Sequence, residues 1–292
     1  MNKYTILIPC YNDWECLNLL IPNINEISKN IDEEVSILII NDASTIANNL
    51  SFNHMTYLKK IEVINLKKNV KAQKATAAGL SYLKKIKFQG SVILMDADGQ
   101  DDPKNLLDII KKSKKDPKKT ISIHRTKRED TLVFKTFYYL YLLLTFLFTF
   151  KYMNFGAFSY LHYTSFDKIL STNDINLAYA AAVAKHFKQR NTISVGRKKR
   201  LLGTSKNNYL SLIHYAIKII SVFRYQVLIN SIIIFSICFL FYKLFISLEF
   251  LLFISISIIL FNIIVFFIYY KTDKQFEVDI KDNIKNLDNL KI

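Results

Sequence analysis

Between Val227 and Tyr270 the chain is almost wholly apolar, interrupted by charge only at Lys243 and Glu249. The stretch divides into two runs of the roughly 20 residues that a helix needs to cross the hydrocarbon of a bilayer. A two-helix membrane hairpin over 225–270 is the plain reading. The alternative is a buried helical hairpin of a soluble core, but nothing else in the chain is large or apolar enough to surround it. With 292 residues in all, there is length for one large domain over 1–224 ahead of the hairpin, and a tail over 271–292 after it.

Charge points to an anionic partner. The net charge is +16, and no Asp or Glu occurs from Ile175 to Leu248 although Lys and Arg are frequent there. Basic residues running into a membrane segment suit anionic headgroups, each worth about 1 kcal/mol near the surface. Part of the excess is compositional, because Lys, Ile and Asn are abundant throughout. No recognised nucleic-acid motif accompanies the basic patches, which argues against nucleic acid as the partner. Cys10, Cys16 and Cys238 offer neither a disulfide framework nor metal spacing, as expected in a reducing cytosol. Met1-Asn2-Lys3 leads straight into a strand, without a secretory leader. Lys271 and Lys274 flank the membrane on the same side as the basic cluster Arg197–Lys206. The positive-inside rule then puts the catalytic domain and both termini in the cytoplasm and the Lys243–Glu249 turn outside.

Ahead of the hairpin, short apolar runs alternate with helical patterns. Tyr4–Pro9, Val35–Ile40, Ile61–Leu66, the run from Ser91 and Thr120–His124 read as strands. Helices are predicted from Trp14, with Pro22 kinking or restarting the first, over Ala72–Leu83 and over Pro103–Lys115. This alternation implies right-handed βαβ units and a mostly parallel, Rossmann-like sheet in an α/β fold. No Gly-x-Gly-x-x-Gly turn follows the first strand, so a dinucleotide site of the usual type is not expected. The aromatic-rich segment 132–150 is short for a span and is bounded by Lys135 and Lys151. It reads as an interfacial helix whose Tyr138, Tyr139 and Tyr141 suit the headgroup boundary. Asn154–Tyr163 reads as a strand, Asp174–Phe187 as an alanine-rich helix, Arg197–Lys206 as a basic turn and Tyr209–Phe223 as an amphipathic helix.

Polar groups collect where strands end. The run from Ser91 stops in Asp96-Ala97-Asp98-Gly99-Gln100-Asp101-Asp102-Pro103, four carboxylates with a Gly and a Pro. In an open α/β sheet that edge is the ligand crevice. Two carboxylates in Asp-x-Asp spacing can share Mg²⁺ or Mn²⁺, which keeps waters and recruits diphosphate oxygens. The bland reading is an Asp-rich turn capping the next helix. Asn41-Asp42-Ala43-Ser44 ends another strand, and Asn69, Lys71 and Lys74 lie near a helix N-terminus, where a phosphate or plain solvent exposure would explain them. The five histidines show no ligand spacing and read as structural, and Trp14 reads as core.

Taken together, Ile8-Pro9-Cys10-Tyr11-Asn12, Asn41-Asp42-Ala43-Ser44, Asp96-Ala97-Asp98-Gly99-Gln100 with Pro103, and Arg200 followed by Gly203-Thr204-Ser205-Lys206 resemble the GT-A-type, family 2 inverting glycosyltransferases. The resemblance is strongest to the polyprenyl-phosphate glycosyltransferases related to dolichyl-phosphate mannose synthase. It runs from Tyr4 to about Arg224, and the hairpin matches the membrane-anchored branch. It implies that Pro9, Tyr11, Asp42, Lys71 and Asp96 bind the nucleotide-sugar, and that Asp98 and Gln100 hold the metal. Arg125, Arg128, Arg200, Ser205 and Lys206 would face the acceptor phosphate or the donor diphosphate, with Asp98, Arg125, Arg128 and Arg200 carrying the reaction. Two departures stand out. Lys71 replaces a frequent Gly, and Gly156-Ala157-Phe158-Ser159 stands where close relatives have Gly-Asp-Phe-Arg, removing an obvious carboxylate base. A lipid phosphate acceptor tolerates that loss, being already ionised; a hydroxyl acceptor would need another acid, such as Asp101 or Asp102.

The expectation is therefore an enzyme moving sugar from a nucleotide-sugar to polyprenyl phosphate at the cytoplasmic face. Transfer to a lipid-linked saccharide hydroxyl is the nearest rival, and a non-catalytic nucleotide-sugar or lipid-binding membrane module is the rival from another class. A homo-oligomer stays open.

Overall fold

The computed structural model describes residues 3–52, 54–127, 132–203, 209–245, 247–274 and 284–290. The strands are β1 (Lys3–Cys10), β2 (Glu34–Asn41), β3 (Ile61–Leu66), β4 (Ser91–Leu94), β5 (Ile121–Lys127), β6 (Phe155–His162), β7 (Asn191–Gly196) and β8 (Ile284–Leu290). The helices are α1 (Trp14–Ser28), α2 (Ala72–Lys85), α3 (Asn105–Lys115), α4 (Leu132–Thr149), α5 (Phe166–Leu170), α6 (Asp174–Leu177), α7 (Tyr179–His186), α8 (Tyr209–Val222), α9 (Arg224–Phe245) and α10 (Leu248–Lys274). The strands form one sheet in the order β7-β5-β6-β4-β1-β2-β3-β8. Pairing is parallel from β4 through β1 and β2 to β3 and between β5 and β7, and antiparallel where β6 joins β4 and β5 and where β8 joins β3. Because β6 runs against both neighbours, β5 and β7 point the same way as β4. The carboxyl ends of six strands therefore meet at one edge, the ligand-binding edge of such sheets.

Alternation along the strands divides the core between the two faces. Ile6, Ile8, Ile37, Ile39, Ile61 and Val63 pack against α1 and α3, while Leu7, Leu38, Ile40 and Ile64 pack against α2, α7 and α8. Small residues let α2 approach closely: a Cβ added at Gly79 would meet Leu7 Cδ1 at 2.6 Å and Ile40 Cδ1 at 3.0 Å. Trp14 is core, 2% exposed, with its Nε1–H donated to Ile46 O. Pro22 neither stops nor restarts α1. Pro22 and Asn18, whose carbonyl loses its helical partner, are only half-buried, so water can serve the freed oxygen.

The expected single helix over Asp174–Phe187 is instead two, divided where Ala178 is extended (φ −157°, ψ 108°). That break turns Tyr179 inward, where its N–H donates to Gln73 Oε1 at 2.6 Å and its hydroxyl meets Ser159 Oγ at 2.7 Å. Just before it, Asp174 is fully buried against Lys185 Nζ and His186 Nε2, each at 2.8 Å. Burial alone would raise its pKa, but the hydrogen bonds from His186 and Lys185 outweigh it and hold the carboxyl below its ordinary value. Asp174→Ala should destabilise the protein by about 2 kcal/mol at neutral pH, because it removes the buried carboxylate that accepts charge-assisted bonds from half-buried Lys185 and His186, although Lys185 Nζ keeps Val222 O at 2.9 Å. A depressed carboxyl stabilises the fold above the ordinary value of 3.8, and that contribution is lost as pH falls through the folded value. Denaturant unfolding of the variant from pH 7 downwards checks both the size and the convergence with wild type in acid.

α9 and α10 pair antiparallel beyond the sheet. Arg224–Tyr242 and Leu248–Thr272 are long and apolar enough to cross a membrane, and only 17% of the most apolar part of each is buried. Isoleucine, leucine and phenylalanine side chains therefore face outward along both helices. Asn262 Nδ2 donates to Ser231 Oγ at 2.8 Å and ties the two together, and Arg224 lies on the Tyr269 ring, 3.3 Å from its centroid, at the base of the pair. α4 packs on α9, and Phe148 meets Phe261 with ring centroids 4.6 Å apart. Tyr139, Leu140, Leu143, Leu144, Phe146 and Leu147 leave the outer side of α4 apolar and exposed.

Candidate active site

The carboxyl edge of the sheet is held by short polar turns in unusual backbone conformations. Positive φ angles occur at Asn12 (55°), Ala43 (52°), Lys71 (71°) and Gly99 (74°), each just past a strand or at the entry to a helix along this edge. Such conformations cost energy in non-glycine residues and persist only where the surroundings fix them. Asn12 is fixed by its own side chain, whose Oδ1 accepts from Thr45 N–H at 2.8 Å and Ile46 N–H at 3.1 Å. Lys71, with ψ 157°, occupies backbone space that is nearly glycine-only, which explains why a Gly suits this position.

Asp42 fastens that Lys71 turn. Its Oδ1 accepts from Val70 N–H at 2.6 Å and its Oδ2 from Lys71 N–H at 2.9 Å, while its own N–H donates to Cys10 O at 2.8 Å. Asp42 thus joins the end of β1, through its backbone N–H, to the loop after β3, through its carboxylate. Burial pushes its pKa up to about 6 despite the two N–H donors. Protonation consequently favours the fold, and the Asp42 contribution to stability declines as pH rises from the ordinary value through about 6. The Asp42 contribution to stability should therefore grow as pH falls from 7 to 5, and Asp42→Asn should remove that dependence; denaturant unfolding across this range reads it.

The acidic loop after β4 faces a ring of cations. Asp96 Oδ2 lies 3.8 Å from Arg125 Nη2 and 3.7 Å from Arg197 Nη2. Asp98 Oδ2 lies 3.4 Å from Arg200 Nη1, and Lys198 Nζ reaches Asp102 Oδ2 at 2.8 Å. Arg200 also pairs through Nη2 with Asp13 and donates from Nε to Leu202 O at 2.7 Å. The segment 197–202, which follows β7, is laid along the loop by backbone bonds: Lys198 N–H to Gln100 O and Leu201 N–H to Asp98 O, each at 3.0 Å. Gly99 is required beneath it, since an added Cβ would come within 2.3 Å of Leu201 Cδ1. Asp98 has a raised pKa because it is desolvated and lies near Asp96. Asp101 is buried, accepts Asp96 N–H at 3.1 Å and is pushed up to about 7 by burial and by Asp96.

The oxygen set suits a hard divalent cation. Asp96 and Asp98 repel each other, and guanidinium groups now supply the compensating charge. Among the described residues no three metal-ligating His, Cys, Asp or Glu side chains converge. Mg²⁺ and Mn²⁺ accept few protein ligands when diphosphate and water complete the shell, so the residues present fit such an ion.

Residues 5–175 match the profile of glycosyl transferase family 2, more than half of the chain. The chain belongs to that family. An uncharacterised glycosyltransferase of Bacillus subtilis, YkcC, is 27% identical over 135 residues, which cover 46% of this chain and 40% of YkcC. The match thus spans less than half of that relative. Among solved structures, mannosyl-3-phosphoglycerate synthase from Rubrobacter xylanophilus superimposes with a TM-score of 0.50 at 13% identity, covering 76% of this chain and 72% of that one. S. aureus TarS residues 1–349 superimpose at 0.49 and 14% identity, covering 93% and 82%. The likeness to the Rubrobacter enzyme speaks to the fold alone, a GT-A-type sheet.

In this family 2 glycosyltransferase, Pro9, Tyr11, Asp42 and Lys71 border the turns after β1 to β3, and Asp96, Asp98 and Gln100 form the loop after β4. Arg125 meets that loop at Asp96 and Asp101, and Arg200 meets it at Asp98. Arg128, Ser205 and Lys206 lie outside the described residues. Gly156 makes room for Arg125, whose Nη2 would lie 2.7 Å from a Cβ there. Asp101 and Asp102, named above as possible bases, are respectively buried and paired with Lys198. The sequence reading missed Asp13 and Arg197 as members of the cluster. Arg197 was visible in the basic run, but nothing in the sequence indicated which carboxylate it meets.

Proposed function

We propose that this glycosyltransferase is membrane-anchored and transfers a sugar with inversion from a nucleotide-sugar to a polyprenyl phosphate at the cytoplasmic surface. One observation carries the reading: a carboxylate loop ringed by Arg125, Arg197, Lys198 and Arg200 belongs to the same fold as the outward-facing apolar pair α9–α10. Helices so apolar and so little buried need a hydrocarbon surround, and an enzyme held there meets lipid acceptors.

In the proposed reaction an acceptor phosphate oxygen attacks the anomeric carbon as the bond from that carbon to the donor's diphosphate oxygen breaks. The new glycosyl phosphate keeps the sugar, and the nucleoside diphosphate leaves with the electron pair. Asp42 and the turns it fastens would seat the nucleoside, while Arg125, Arg197 and Arg200 would turn from carboxylates to phosphate oxygens. Asp98 with Asp96 or Gln100 would hold a divalent ion, which supplies charge neutralisation on the leaving diphosphate. An ionised phosphate nucleophile needs no base. That agrees with Ala157 and with the absence of an uncommitted carboxylate in the described part of the acidic loop, and favours phosphate over a saccharide hydroxyl.

The test is a screen of nucleotide-sugars with purified protein, Mg²⁺ or Mn²⁺, and either polyprenyl phosphate or a lipid-linked saccharide. Product on the phosphate supports the proposal. Product only on the saccharide, or nucleotide binding without turnover in any combination, overturns the acceptor or the catalytic reading respectively.

A further inference from the structure

The tail beyond the apolar helices returns to the sheet. β8 pairs antiparallel with β3, with Asn65 opposite Asn286 and Val63 opposite Asp288. In turn Asn65 stands opposite Asn41 at the end of β2. Residues two apart on a strand share a face, so Asn286, Asp288, Asn65 and Asn41 form one polar row across three strands.

The hydrogen bonds in this row all run one way. Asn65 Nδ2 donates to Asp288 Oδ2 at 2.6 Å, Asn286 Nδ2 to Asp288 Oδ1 at 2.7 Å, and Asn41 Nδ2 to Asn65 Oδ1 at 2.7 Å. Asn41 Oδ1 then accepts from Ser44 N–H at 2.9 Å, and Ser44 Oγ from Asn12 N–H at 2.9 Å. An ionised carboxylate can only accept, whereas a carboxamide can be turned either way. Asp288 therefore sets the orientation of Asn65, Asn65 sets that of Asn41, and Asn41 presents oxygen to the Ser44 amide. The turn held in this way contains Asp42 and the positive-φ Ala43.

We infer that Asp288 is a positioning residue of the donor pocket, acting through Asn65 and Asn41 on the Asp42–Ser44 turn. The inference rests on the proposed nucleotide site. It gives the tail a part in donor binding besides closing the edge of the sheet.

The experiment is an exchange of partners in the full-length protein in lipid nanodiscs. In Asn65→Asp two carboxylates confront each other; in Asp288→Asn the anchor can donate; in the double variant the carboxylate and the amide trade places and every bond of the row can form again. Binding of UDP and of GDP is measured by calorimetry, and hydrogen exchange is followed at the Ser44 amide. Asp288→Ala and Asn65→Asp should each weaken nucleotide binding about tenfold and speed Ser44 exchange, the scale of one lost charge-assisted bond. The double variant should recover to within about twofold of wild type. The donor KM should rise with little change in kcat. Wild-type affinity and Ser44 exchange in Asp288→Ala would overturn the inference, as would a double variant no better than Asn65→Asp, which would leave β8 a mere edge strand. If wild type binds neither nucleotide, the donor reading fails for those bases, while Ser44 exchange still decides the relay.

Discussion

Asp98→Ala is expected to abolish sugar transfer, by about 100-fold or more, and to leave the fold and membrane insertion intact. The carboxylate lies beyond the end of β4 and contributes nothing to either face of the core. Its removal does not strand Arg200, which keeps Asp13 and Leu202 O as partners. The backbone bond from Leu201 N–H to Asp98 O does not depend on the side chain. What is lost is the negative charge nearest the proposed ion, together with the one bond that Asp98 Oδ1 accepts from Gln100 N–H at 3.0 Å. Transfer assays over a range of Mg²⁺ and Mn²⁺, beside thermal unfolding, separate the two effects. Near-normal activity at low metal would remove Asp98 from the site, and a large drop in melting temperature would make its role structural.

The sequence carried the centre of the fold better than its margins. β1, β2 and β4 are buried on both faces and read as continuous apolar runs, and their polar terminations mark the crevice without further help. β7 and β8 do not stand out in that way. Asn191–Gly196 alternates between half-buried and exposed positions, and Ile284–Leu290 is mostly polar, because each is an outer strand with little apolar surface to cover. Their identity comes from long-range pairing. The break at Ala178 was hidden for a related reason: alanine favours helix, and only the pull of Gln73 and Ser159 on Tyr179 overrides that preference. At the site, residue types were legible and their partners were not. The basic run at 197–200 announced an anion, yet the anions it meets in the structure are carboxylates of the chain itself, Asp13, Asp96, Asp98 and Asp102. Lys71 looked like a departure in charge, whereas its backbone shows a departure in conformation as well.

Those internal pairs make Arg200 the residue whose loss should separate two effects. Its guanidinium is placed between Asp13 and Asp98 with Nε on Leu202 O, so one planar group meets two carboxylates and a carbonyl. A Lys can satisfy one of these at a time, having a single ammonium and no fork. In the resting protein Arg200 pairs with Asp98 and would compete there with the proposed divalent ion; in the proposed reaction it moves to the diphosphate or the acceptor phosphate. Arg200→Ala should then tighten Mn²⁺ binding in the absence of donor, by about tenfold if one charge-assisted contact is removed, and still lower transfer by about 100-fold. Arg200→Lys should recover little of the transfer. Paramagnetic titration of Mn²⁺ without donor measures the first effect, and turnover at saturating metal measures the second. Unchanged Mn²⁺ affinity in Arg200→Ala would mean that the ion does not use Asp98, and full activity in Arg200→Lys would mean that the guanidinium serves only to hold the segment 197–202 on the acidic loop.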